Sequence, residues 1–121
     1  MKRFKFIVFL IAWMLFITPA MAFQDHSSSS YAQTSDGVGY AHPCYLVKVK
    51  GKTDGTNNLT LKVYDNASAA SGNVITEFTI IGADLKGGET FDHLEVSNGL
   101  YVDMTVAGEG TGTWWVEFKK P

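Results

Sequence analysis

Two groups of side chains in this sequence carry usable chemistry, and both depend on how its last three segments lie beside one another. His93, Asp103 and Glu117 supply one imidazole and two carboxylates. Set in one row across neighbouring strands, the carboxylates repel unless a cation or a proton comes between them. One nitrogen with carboxylate oxygens is also a donor set for a metal ion. The competing reading is a solvated acidic face, because screening makes exposed like charges tolerable; no bound metal is expected. Phe91, Tyr101 and Trp115 form the second group. Outward aromatic faces suit stacking on sugar rings or anchoring a protein partner, and left bare they favour association. The sequence holds no Ser/His/Asp pattern, phosphate-binding loop, Cys-x-x-Cys pair or EF-hand loop. Two carboxylates acting on a glycosidic bond need a cleft, for which a small flat sheet has little room. No catalytic residue and no cofactor are expected.

The elements that position these groups are strands. Apolar residues alternate with polar ones at Tyr45/Val47/Val49, Leu59/Leu61/Val63, Leu100/Val102/Met104/Val106 and Trp114/Val116/Phe118. Residues 73–81 are β-rich, with Val74, Phe78 and Ile80 inward, and Leu94 and Val96 follow. Gly, Asn, Asp and Ser separate the runs, which predicts six strands in a small antiparallel β-sandwich, jelly-roll-like in kind. Ser97-Asn98-Gly99 reads as a three-residue hairpin loop with a bulge at Gly99, pairing Val96 with Leu100 and Leu94 with Val102. The Gly-rich stretch 107–113 reads as a second hairpin, pairing Val106 with Trp114. The turn at Asp54-Gly55 sets Val49 opposite Leu61 if those strands are neighbours, and 65–72 and 82–90 read as surface loops. In these registers His93, Asp103 and Glu117 share one outward row, and Phe91, Tyr101 and Trp115 line the same face.

The N-terminus has a different composition. Residues 1–22 join a basic start (Lys2, Arg3, Lys5) to an apolar run and an Ala20-Met21-Ala22 ending, the pattern of a secretory signal peptide. An uncleaved N-terminal helix anchoring the chain in a membrane is the alternative. Residues 23–41, rich in Ser and Gly, read as a flexible linker, leaving 42–121 for the folded body. From Phe23 onward there are 7 basic and 12 acidic residues and no Arg. That balance argues against a nucleic-acid partner, which needs a basic face for phosphates. Cys44 is the one cysteine of the chain, so it forms no internal disulfide. The expected location is outside the cytoplasm, periplasmic or extracellular, with membrane anchoring or a virion as alternatives.

A family resemblance follows from two motifs. The run Thr60-Leu61-Lys62-Val63-Tyr64-Asp65-Asn66-Ala67-Ser68-Ala69-Ala70-Ser71-Gly72, and then Ser97-Asn98-Gly99-Leu100-Tyr101-Val102, resemble segments of small virion-associated β-sandwich proteins of tailed phages and prophages. The resemblance covers roughly residues 44–118. It implies a β-sandwich of particle surfaces or tails and transfers no catalytic residue. A signal peptide is atypical of that group. The resulting expectation is a non-enzymatic exported structural or interaction protein, whose contact surface is Phe91, Tyr101 and Trp115. Its expected partner is itself, as a homo-oligomer, or another virion or surface protein. The alternative is an exported glycan- or cell-surface-binding module.

Overall fold

β-Branched and aromatic residues at alternate positions, punctuated by turn formers, fold into strands. The structure, a computed structural model, describes residues 27–121. In chain order the strands are β1 (Ser28–Ser29), β2 (Gly37–Tyr40), β3 (Cys44–Thr53), β4 (Leu59–Asp65), β5 (Val74–Ile80), β6 (Lys86–Val96), β7 (Leu100–Val106) and β8 (Gly112–Lys119). One 3-10 turn, Gly82–Asp84, precedes β6. The strands form two four-stranded antiparallel sheets, ordered β1-β8-β3-β6 and β2-β7-β4-β5, which pack as a β-sandwich. Strands pair from the chain ends inward: β1 with β8, β2 with β7, β3 with β6 and β4 with β5. The β3–β8 and β4–β7 ladders then complete each sheet.

The core lies between the sheets. Leu46, Val49, Leu59, Leu61, Val63, Leu100, Val102, Trp114 and Val116 are fully buried, with Cys44, Ile80, Val96 and Phe118 nearly so. The alternation in β4, β7 and β8 therefore points inward as expected. In β3 it does not: a bulge between Leu46 and Lys48 shifts the phase, burying Cys44 and Leu46 before it and Val49 after it. Tyr45, expected inward, is 37 % exposed. Opposite the bulge, Phe91–His93 intervene between Thr90 and Leu94, and His93 takes a positive φ of 51°. Leu94 and Val74 are also turned outward, whereas Val96 and Ile80 are buried.

The two expected hairpins, and the pairing of β3 with β4 that depended on their being neighbours, do not form. The links from β3 to β4, β6 to β7 and β7 to β8 each pass from one sheet to the other. Leu94 pairs with Leu46 and Val102 with Val63; Val106 pairs with Leu59 and Trp114 with Gly51. Matching apolar faces is satisfied equally by strands side by side and by strands facing each other across a core about 10 Å thick, so the inward pattern alone does not separate the two. Gly99 serves close approach instead of a hairpin bulge, since a Cβ there would lie 2.7 Å from the Tyr40 carbonyl oxygen. Likewise 86–90 is strand and not loop, whereas 66–73 is a loop.

The linker expectation for 23–41 is corrected where it is described. Ser30 N donates to the Val116 carbonyl, and Gln33 and Trp114 exchange two backbone hydrogen bonds, all at 2.9 Å. The Trp114 indole N–H donates to the Ser35 carbonyl at 2.8 Å, and Met104 N donates to Asp36 Oδ1 at 2.6 Å. Strands with no apolar alternation form here because β7 and β8 offer unpaired edges that backbone groups satisfy. The signal peptide or anchor read into 1–22, and the first residues of that linker, lie outside the described residues. Among the described residues no helix is long and apolar enough to cross a membrane.

Two aspartates tie the ends of the sandwich. Asp54 accepts from the backbone N–H of Thr56, Asn57 and Thr111 at 2.8–3.0 Å, and from the Asn57 side chain. At the other end Asp65 accepts from Ser97 N and Asn98 N at 3.2 and 2.8 Å. Each loop pair is thus pinned by one carboxylate.

Candidate functional site

The strand order sends the expected site residues to different places. Trp115 faces outward on β8 and Tyr101 outward on β7, so they lie on opposite faces of the sandwich. Phe91 sits on the edge strand β6 and packs partly against the core. The expected single aromatic strip is therefore corrected to three separate positions. His93, Asp103 and Glu117 separate in the same way. His93 is exposed on β6, its Nδ1 3.4 Å from Asp92. Asp103 faces Lys62 across β4 and β7, and Glu117 lies opposite Lys48 with its carboxylate 3.9 Å from Lys50 Nζ. No group of three metal-capable side chains occurs among the described residues. The three residues share no row, because β7 belongs to the second sheet.

Pairing creates a different constellation on the outward face of the β1-β8-β3-β6 sheet. Side chains of i and i+2 stand on one face, and cross-strand partners align in rows. One row is Trp115, Lys50, Gly88; the next is Glu117, Lys48, Thr90; the third is Thr113, Lys52, Lys86. A Cβ on Gly88 would lie 2.5 Å from the Val49 carbonyl oxygen and 3.2 Å from Lys50 Cγ, so no side chain fits there and its place in the row is bare backbone. The result is a shallow groove of about 380 Å³ lined by Trp115, Lys48, Lys50, Lys86, Thr90, the backbone of Gly87 and Gly88, and one carboxylate, Glu89. Its chemistry is one indole face beside several ammonium groups and bare backbone, which suits a flat or anionic partner.

The outward face of the other sheet carries the opposite sign. Val38, Tyr101, Tyr64 and Val74 form one row across all four strands. Asp103, Lys62 and Glu77 form the next, and Thr105, Thr60 and Thr79 the third. Val38 and Val74 are 37 % and 47 % exposed. Lys62 Nζ lies 3.9 Å from Glu77 and 5.5 Å from the Tyr64 ring centre, and the Tyr64 contact leads in holding its pKa above the usual lysine value. Asp103 has its carboxyl pKa raised, first by partial burial, then by the charge of Asp36 and a hydrogen bond with it, with Lys62 opposing.

Other polar residues serve structure. Asn58 Oδ1 accepts from Gly82 N at 2.9 Å, and Asn66 Oδ1 from Ser68 N and Ala69 N at 2.9 and 3.0 Å. The oxygen-rich turn at Asp54 is filled by its own backbone, which holds that carboxyl well below the usual range, the Asn57 N–H leading. Cys44 is buried, and desolvation, helped by the charge of Asp65, pushes its thiol up to about 11. Sequence reasoning missed the lysine face, although Lys48, Lys50 and Lys52 at i, i+2, i+4 signalled it; the missing part was which strands flank β3.

Fold and faces together define a small all-β sandwich with one basic, tryptophan-bearing face and one acidic, tyrosine-bearing face. No protein-family model, curated protein or solved structure matches the chain.

Proposed function

We propose that this chain is a non-enzymatic, exported structural or interaction protein, similar to the surface and tail β-sandwich proteins of phage virions. It works through contacts on its outer faces. The observation that carries this reading is Trp115 standing outward beside Lys50, with bare backbone at Gly88 on the far side of that lysine. An indole in a shallow, lysine-flanked groove is an anchor for a partner, and tryptophans dominate such contacts. The strand orders support the finer fold reading. Orders 1-8-3-6 and 2-7-4-5 are those a long hairpin gives when it rolls up, which supports reading the sandwich as jelly-roll-like, an architecture of viral capsid and lectin domains. That link is analogy at the level of fold. The contact surface is accordingly Trp115 with its lysines, while Tyr101 belongs to the opposite face. The test is gradient sedimentation of the chain recovered from expressing cells. The wild type is expected in particles heavier than the monomer, and Trp115→Asp at the monomer position. A wild type found as free monomer overturns the reading.

The groove beside Gly88 favours a second reading, an exported glycan- or cell-surface-binding module in which Trp115 stacks on a sugar ring. Titration with heparin, polygalacturonate and cellohexaose, read by tryptophan fluorescence, tests it. A flat response to all three rejects it.

A further inference from the structure

Among the described residues the two outward faces complement one another. Of the seven lysines after residue 23, six (Lys48, Lys50, Lys52, Lys86, Lys119 and Lys120) lie in or directly after strands of the β1-β8-β3-β6 sheet, against four carboxylates in the same strands (Glu89, Asp92, Glu95 and Glu117), which leaves that sheet net basic. The other face carries Asp103 and Glu77 around its one lysine, Lys62, with Asp36 at its border. Each face also has an aromatic row next to its charged row: Trp115 beside the row of Lys48, and Tyr101/Tyr64 beside the row of Asp103.

We propose that the basic face of one copy seats on the acidic face of the next, so that the protein stacks head to tail through Trp115 against the Tyr101/Tyr64 row. The proposal rests on the interaction reading above and names its partner as a second copy. Sheets pack face to face at about 10 Å with their strands roughly aligned, and the rows of both faces have the same spacing of about 7 Å along the strand. Such a contact covers Val38 and Val74, whose exposure the isolated domain leaves unexplained. It also brings lysines to Asp103, where two carboxyl groups already crowd each other. The faces differ and point in opposite directions, so the contact is heterologous and does not close: a copy bound at one face leaves the other free, and growth continues. Four strands per face, from 2 to 11 residues long, give each face about 400–500 Å² in projection, towards the small end of specific interfaces. The stack is therefore reversible, concentration-dependent and weakened by salt.

Light scattering on the purified chain, across concentration at low and high salt, tests this with two variants. Lys50→Glu/Lys52→Glu blocks the basic face, and Asp103→Lys/Glu77→Lys blocks the acidic one. If the latter melts early, Val74→Lys/Glu77→Lys, at exposed sites of the edge strand β5, replaces it. The wild type is expected to reach several times the monomer mass at low salt and to return to the monomer at high salt. Each variant alone is expected to stay monomeric. Mixed, the two are expected to reach at least twice the monomer mass, since an intact basic face again meets an intact acidic one. A dimer from either variant alone means a face binds its own kind and overturns the proposal. So does assembly indifferent to both variants, which places the contact elsewhere. A wild type monomeric under all conditions also overturns it; if that chain still sediments in particles from cells, the interaction reading stands and the partner is another protein.

Discussion

Trp114 and Trp115 are adjacent on β8, yet they answer to different surroundings. Trp114 is fully buried against the core, its indole N–H donating to the Ser35 carbonyl. Trp115 points the other way, onto the lysine rows. A strand alternates its sides, so one residue step separates folding from binding. The sharpest way to break this comparison is Trp114→Ala, expected to remove about 3–5 kcal/mol, a large share of the stability of a domain this small. Trp115→Ala is expected to change stability by only about 0.5 kcal/mol while abolishing association. Urea unfolding of both variants decides it: equal losses would mean that the indole of Trp115 is a packing residue and not a contact.

The same inside-outside contrast governs two titrating groups. Cys44, inside, has its thiol raised to about 11 by burial, above the value of about 8.5 for an unfolded thiol. The folded state therefore holds the proton more tightly. That contribution to stability is complete below the unfolded value and is lost as pH rises from there through 11. Native chain is expected to react with a thiol reagent at pH 8 only as fast as it unfolds, and rapid labelling without unfolding would contradict the buried placement. Asp103, outside, also has a raised pKa. Its protonated form is favoured in the fold, so the contribution is present below the unfolded carboxyl value and lost as pH rises through the folded one. Asp103→Asn is expected to raise the melting temperature at neutral pH modestly and to flatten its acid dependence. A lower melting temperature would show that the Lys62 contact outweighs burial and Asp36.

How far the sequence spoke for this structure depended on the kind of force involved. Leu59, Leu61, Val63, Val116 and Phe118 were legible because burial imposes alternation on a strand. The shift at Val47 was not, because a bulge leaves no compositional mark in a run of valines and lysines. Nor were the sheet crossings after Val96 and Val106, since an inward residue looks the same whether its neighbour is beside it or across the core. The strands at 28–29 and 37–40 are held by backbone pairing, by Asp36 and by Tyr40 stacked on Phe118 at 4.2 Å, and one aromatic among Ser and Gly makes no alternating pattern. The site followed the topology: Lys48, Lys50 and Lys52 stood in plain view, but a groove exists only once β8 sets Trp115 on one side and β6 sets Gly88 on the other. The trio His93, Asp103 and Glu117 dissolved for the same reason.

The smallest expected effect sharpens the comparison of the two faces themselves. Each carries an ion pair at the same distance: Lys50–Glu117 on the basic face and Lys62–Glu77 on the acidic one, both at 3.9 Å. Lys62 and Glu77 are directly opposite on paired strands, whereas Lys50 reaches diagonally, since Glu117 pairs with Lys48. Partly exposed pairs of this length contribute about 0.5 kcal/mol or less, and neither pair accounts for folding. Double-mutant cycles to alanine, measured on the monomer at high salt, are expected to give coupling of this size for Lys62–Glu77 and less for Lys50–Glu117. The diagonal pair leaves Lys50 free to exchange Glu117 for a carboxylate of a second copy. A coupling energy for Lys50–Glu117 well above that of the opposed pair would mean that Lys50 is already committed within its own sheet, and the basic face would lose the lysine nearest to Trp115.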